Sequence, residues 1–201
     1  MTENSRPRII SPDTHRQNRI PPGQAETQKW PVLHYGDVPR VDIEHWDFTI
    51  TGLVESDVKL NWQQFRALPW IDVHCDIHCV TRWSRLNNVF SGPSTRSVLD
   101  LARPKPDARF VLVHGEQGFT TNLSIEEFLH EDCLFAIEHD GQPLTPDHGY
   151  PARLVVPRLY FWKSAKWIRA IELRDRDTPG FWEQNGYHMH GDPWTEERHS
   201  W

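Results

Sequence analysis

Two groups of residues carry side chains able to do chemistry. The first is His74, Cys75, His78 and Cys79, within IDVHCDIHCV at residues 71–80. Imidazole and thiolate are the common ligands of zinc and other borderline metals, so the cluster reads at first as a metal site. Its spacing argues otherwise. Side chains alternate along an extended chain, which puts Ile71, Val73, Cys75, Ile77 and Cys79 on one side of a strand and Asp72, His74, Asp76, His78 and Val80 on the other. The two histidines and the two cysteines then cannot close one tetrahedron. Cys79 stands apart because the strand runs from it into a polar turn, TRWSRLNNVFSG. A thiolate offered at a loop mouth suits a soft or high-valent metal, or nucleophilic attack. Cys133, inside an apolar strand, is instead a small buried hydrophobe.

The second group lies in HGYPARLVVPRLYFWKSAKW, residues 148–167. A turn places Arg153 at the start of an apolar strand, and the next loop offers the backbone amides of Ser164 and Ala165 beside Lys166. Such donors, with an arginine able to make bidentate contacts, form a phosphate or pyrophosphate site. The alternative is ordinary surface charge flanking a strand. No GxGxxG or Walker A run occurs in the sequence, so neither a dinucleotide fold nor a P-loop explains a phosphate site.

The elements that position these groups are short. WDFTITGLV, from Trp46, alternates as a strand, and Asn61 caps a short helix through Trp62, Phe65 and Leu68 that Pro69 stops. After the 71–80 strand, Pro93, Ser94 and Thr95 open a helix through Val98, Leu99 and Leu101. Residues 109–114 and 119–123 read as a hairpin around Glu116, Gln117 and Gly118, and Ser124 with Glu127 forms a capping box for a helix ending near His130. Further strands are expected at 134–138, 153–156 and 167–173. Helices this short and few do not cover a doubly wound sheet, so the fold class is α+β with a mixed sheet. Residues 1–29 are expected to be an extended arm or a partly disordered lead-in, residues 30–201 the domain, and the aromatic end, GFWEQNGYHMHGDPWTEERHSW, to pack on it.

The chain of 201 residues suits one domain. A net charge of −6 excludes general affinity for nucleic acid or anionic membranes, so any anionic ligand needs a local basic pocket. Ten tryptophans either pack a rigid, loop-rich fold or wall a deep cofactor cleft. Three cysteines without a disulfide spacing fit a reducing compartment. With no apolar leader, no adjacent arginine pair and no bilayer-length span, the expectation is a cytoplasmic protein without membrane insertion.

Together these segments resemble a known family. HGYPARLVVPRLYFWKSAKWIRAIEL is similar to the molybdopterin-binding segment of sulfite oxidases and their heme-free bacterial relatives, which include the methionine sulfoxide reductase catalytic subunit. HCVTRWS resembles the segment presenting their molybdenum-binding cysteine, and LHYGDVP, GFTTNL and GFWEQNGYH follow in the family's order. The resemblance covers residues 30–190 and implies a sulfite oxidase-type molybdopterin-binding domain. By it, Cys79 is the thiolate ligand of one molybdenum also held by the dithiolene of one molybdopterin. His148, Arg153, Ser164, Ala165 and Lys166 would hold the pterin and its phosphate, the serine and alanine through the backbone, and His34 would close over the cofactor. Arg82, Arg158 and Tyr160 would steer the substrate, with Tyr160 and Trp83 facing the metal's open side.

Departures narrow the reading. Sulfite oxidases of animals and plants follow the metal cysteine with Asn-Arg-Arg, whereas Cys79 is followed by Val80, Thr81, Arg82, Trp83 and Ser84, closer to the heme-free branch. The resemblance therefore implies two-electron oxygen-atom transfer on a small sulfur- or nitrogen-centred substrate, with an unidentified electron donor or acceptor protein. Two rivals remain: a cofactor-free binding module on the same fold, and a hydrolase or transferase with Cys79 as nucleophile.

Overall fold

The computed structural model describes residues 6–200. The chain runs through β1 (Arg8–Ile10), β2 (Ala25–Glu26), β3 (Asp47–Gly52), β4 (Val58–Asn61), helix α1 (Trp62–Arg66), β5 (Trp70–His78), β6 (Trp83–Pro93) and α2 (Thr95–Leu99). It continues with β7 (Phe110–Gly115), β8 (Thr120–Ser124), α3 (Ile125–Phe128), β9 (Leu134–Ala136), β10 (Glu138–His139) and β11 (Gln142–Pro143). The last elements are β12 (Arg153–Val155), β13 (Ile168–Arg174) and α4 (Phe181–Gln184). One sheet has the order β4-β3-β13-β7-β8, a second is built on β5 and β6, and β9 pairs with β12 in a ribbon. β13 runs parallel to β3 and antiparallel to β7, so the sheets are mixed and the fold is α+β.

Local sequence explains most of this. Asn61 accepts from the Gln64 amide while the Gln64 side chain accepts from the Asn61 amide, a reciprocal cap that starts α1. Ser94 and Ser124 cap α2 and α3 in one direction only, each accepting from the amide three residues on, and the Glu127 carboxylate turns to Arg158 and His190 instead of closing the expected box at Ser124. Alternation along β3 buries Phe48 and Ile50, which pack with Phe65 of α1 and with Phe128 and Phe135 into one core. Each such side chain contributes about 1.5–3 kcal/mol by leaving water.

Two expectations are corrected. Residues 83–93 are not part of a polar turn: they form the longest strand among the described residues, antiparallel to β5. The polar side chains that looked like loop are satisfied inside it, Asn88 donating to the carbonyls of Cys75 and Arg85. The true turn is only Cys79 to Arg82. Cys133 is buried as expected but precedes β9 rather than lying within it, its thiol donating to the Glu127 carbonyl at 3.2 Å.

The polar face of β5 is covered as well as its apolar one. Asp76 and His78 are buried, and the arm lies over them. Arg19 grips Asp76 with two hydrogen bonds of 2.6 and 2.8 Å, β1 pairs in parallel with β5, and β2 with β6. The first five residues of the expected arm lie outside the described residues. From the other end of the chain, Trp194 sets its ring edge-on to His78 and donates to Asp13. His78, whose pKa burial lowers to about 4, stays neutral there.

The C-terminal segment is also pinned at His190, whose imidazole lies 3.7 Å from Glu127 and 2.8 Å from Glu197. These carboxylates, Glu127 foremost, raise its pKa to about 8. A pKa above the unfolded value of about 6.5 stabilises the fold below that pH and ceases to do so as pH rises through the folded value. The melting-temperature gap between wild type and His190→Gln should therefore be open near pH 6 and close above about pH 9; thermal melts across pH check it.

Candidate functional site

A cavity of about 350 Å³ is lined by Trp83 of β6, Arg153 of β12, two residues of α4 and the loops around them. At one end stands Cys79, 8% exposed, immediately after β5. Its turn is closed by the Arg82 amide donating to the Cys79 carbonyl at 3.0 Å and by the Cys79 amide donating to Trp83 at 2.9 Å. Arg82 takes a φ of 73° to complete it. The Cys79 sulfur lies 3.1 Å from the Thr81 hydroxyl. Burial pushes the thiol pKa up, while the Thr81 hydrogen bond and the Arg198 charge act against that rise.

At the other end the chain between β11 and β13 gathers two cations. The buried Arg153 donates to three carbonyls, those of His148 (3.0 Å), Ser164 (2.7 Å) and Leu154 (3.4 Å), and to no carboxylate. Burial alone lowers its pKa to about 9. Lys166 donates to the Asp147 carbonyl at 2.8 Å, and burial, then the charge of Arg153, lowers its pKa to about 7. Gly149, at φ +112°, makes the approach possible: a Cβ there would lie 3.0 Å from Arg153 and 3.3 Å from Lys166. A buried cation is ordinarily paired, yet the buried Arg153 and the half-buried Lys166 beside it have no carboxylate in ion-pair contact, so this wall can take an anion.

Between the ends the walls are flat and aromatic. Trp30 stacks on His148 with ring centres 3.9 Å apart, and its carbonyl is 3.2 Å from His148 Nε2. His34, hydrogen-bonded to the Gly36 carbonyl at 2.9 Å, sits edge-on to Trp167. Near Cys79 the wall is Trp83, Trp162, Trp182 and Tyr187. A thiol, a flat aromatic slot and an uncompensated pair of cations match the donor set that a molybdenum dithiolene with a pterin and a phosphate requires, so the residues present fit that group.

The structure thus brings His34, Cys79, His148, Arg153, Ser164, Ala165, Lys166 and Trp83 to one cavity. The two backbone donors differ: the Ser164 amide is taken by the Phe161 carbonyl, whereas the Ala165 amide has no protein acceptor among the described residues. The Ser164 hydroxyl works inward, accepting from the Val156 amide. Three expected residues are not on the wall. Arg158 pairs with Glu127 outside the cavity, Arg82, the last residue of the turn, is exposed, and Tyr160 is fully buried and stacked on Trp162 at 5.3 Å.

Other wall residues carried no assignment from the sequence. Trp162 donates from its indole to Glu183, which also pairs with Lys163 at 2.7 Å, both charges fully buried. Lys163 further donates to Asn122 and to the Met189 carbonyl. This network ties α4, with Trp182, to the segment bearing Trp162. The spacing in GFWEQNGYH was the available signal, since Trp182, Glu183 and Tyr187 all belong to it.

Comparison with known proteins agrees with this geometry. Residues 35–182 match the family described as oxidoreductase molybdopterin binding domain. The chain is 48% identical over 187 residues to the uncharacterized oxidoreductase YuiH of Bacillus subtilis, covering 92% of this chain and 94% of that protein. It is 28% identical to the putative protein-methionine-sulfoxide reductase subunit YedZ1 of Azospira oryzae, covering 89% and 69%. Among solved structures, the sulfane dehydrogenase SoxCD of Paracoccus pantotrophus superposes with a TM-score of 0.68 at 20% identity, over 76% of this chain and 43% of that one. No helix among the described residues is long and apolar enough to cross a membrane. With the family segment holding the thiol, the two cations and part of the aromatic wall, the chain belongs to the oxidoreductase molybdopterin binding domain family and is a molybdopterin-dependent oxidoreductase.

Proposed function

We propose that Cys79 binds one molybdenum, also held by the dithiolene of one molybdopterin, for two-electron oxygen-atom transfer on a small sulfur- or nitrogen-centred substrate. The observation that carries this is the pairing of a cavity-facing thiol with the buried Arg153 and the half-buried Lys166, neither held by a carboxylate, on the wall of the same cavity. When bound, the cofactor supplies the two-electron oxygen-atom chemistry. The protein's residues bind and orient. Arg153 and Lys166 neutralise the phosphate, the Ala165 amide donates to it, and an anion there restores both cations toward their ordinary charge. Trp30, His148 and His34 hold the pterin between flat faces. Thr81 donates to the thiolate, and the aromatic wall keeps water from the reacting centre.

The wall around Cys79 comprises Val80, Thr81, Trp83, Trp162, Trp182 and Tyr187, with no cation on the cavity side, the Arg198 charge lying behind the turn on the Val80 carbonyl. That supports an uncharged S-oxide or N-oxide centre over an oxyanion such as sulfite. We assign the cofactor-binding unit to residues 30–201, served by the arm of residues 1–29, and place it in the cytoplasm, where its three unpaired cysteines are at home. Electrons pass to or from a partner protein. The nucleophile reading lacks support: the polar neighbour of the Cys79 sulfur is a threonine hydroxyl rather than a histidine base, and its pKa is raised where an activated thiol has it lowered.

Elemental analysis of protein from a molybdopterin-producing host tests the reading, with about one molybdenum per chain expected. Arg153→Ala should cut that content by roughly tenfold, in the range that loss of a supporting contact costs a metal site. Wild-type molybdenum in Arg153→Ala would remove the assignment of the phosphate end.

A further inference from the structure

Two residues from opposite ends of the chain converge on the turn that carries Cys79. Arg198, 7% exposed, donates from Nη1 to the Val80 carbonyl at 2.7 Å and from Nη2 to the Pro22 carbonyl at 3.3 Å. Gln24 donates from Nε2 to the Cys79 carbonyl at 3.0 Å. Between them lies Gly23, at φ +67°, where a Cβ would sit 2.6 Å from Glu196 Oε1 and 2.9 Å from Arg82 Nη1. The arm comes this close because the residue there has no side chain. The Arg198 guanidinium also covers the Tyr160 ring at 4.9 Å. Gln24 and Arg198 both fall outside the matched segment, residues 35–182.

We propose that Arg198, with Gln24, is a positioning residue for the Cys79 thiolate. Together they fix the successive carbonyls of Cys79 and Val80, so that the sulfur is aimed into the cavity, and Arg198 sets a permanent positive charge near a ligand that is anionic when bound. Groups behind a metal ligand set its orientation and basicity, and a guanidinium holds its acceptors in a rigid planar fork where an ammonium is a compact, rotatable charge. The inference rests on the reading of Cys79 as the molybdenum ligand.

The test compares holoenzyme of wild type, Arg198→Met, Arg198→Lys and Gln24→Ala by molybdenum content, melting temperature and visible thiolate-to-molybdenum charge-transfer absorption. Turnover of dimethyl sulfoxide with a reduced viologen as electron donor is measured alongside. Arg198→Met should keep molybdenum, which the far end of the cavity also secures, but show a weakened, shifted band and turnover lowered roughly 10- to 100-fold. Arg198→Lys should recover part of both, and Gln24→Ala should move the band in the same sense with little change in melting. Wild-type bands and turnover in Arg198→Met and Gln24→Ala, whatever their melting temperatures, would reduce Arg198 to a staple between chain ends and overturn the proposal. If Arg198→Met does not fold, an unchanged band in Gln24→Ala overturns it. Wild-type protein without molybdenum would instead overturn the cofactor reading, and this inference with it.

Discussion

Cys79→Ser is expected to fold, melt within a few degrees of wild type and lose turnover by more than roughly a hundredfold, beyond the range for removing an outer partner of a metal ligand. Serine is nearly isosteric, the site is buried, and its hydroxyl can keep the contact with Thr81 that the sulfur makes at 3.1 Å, so the fold loses little. The chemistry loses a soft, ionisable ligand and receives a hard hydroxyl that stays protonated at neutral pH. The visible thiolate-to-metal band should vanish with the activity. A serine variant with wild-type turnover would take Cys79 out of the metal's coordination.

The second large effect is on stability. Lys163→Met should destabilise the protein by about 3–5 kcal/mol, the cost of leaving one member of a buried ion pair alone. It strands the Glu183 carboxylate with only the Trp162 indole as donor and takes a donor from Asn122 and Met189. For a chain of this size that lowers the melting temperature by roughly 6–20 °C. Lys163→Met with Glu183→Gln should melt higher than Lys163→Met alone, because a neutral amide still accepts from the indole and no charge is left buried. Melts matched for molybdenum content would show this, since bound cofactor stabilises the fold by itself. A double variant no better than the single one would shift the cost from the stranded charge to lost packing.

Much of the site was legible because its signals are local. Strict alternation in 71–80 separated Cys79 from the histidines, and the run from His148 to Lys166 holds both cations and the Ala165 amide of the proposed anion seat in one stretch of chain. The caps at Asn61, Ser94 and Ser124 were readable for the same reason: each cap and its amide lie three residues apart. What escaped depends on distant partners. Residues 83–93 looked like loop because their polar side chains are satisfied by β5 and by Arg85, which spacing alone does not reveal. Arg158 and Tyr160 are close in sequence to wall residues, yet one turns to Glu127 and the other is buried, stacked on Trp162. Lys163 lies inside the most specific motif and still went unassigned, because its partner Glu183 is supplied by another segment.

The meeting of Pro22 and Arg198 also bears on when the site can be completed. Their hydrogen bond spans 176 residues of chain, close to the largest separation a protein of this length allows, and contacts so distant in sequence close late in folding. Chains emerge from the ribosome amino end first, so the turn that presents Cys79 is clamped only once Arg198 has been synthesised. Until then the turn has its own hydrogen bonds but lacks the clamp from Arg198.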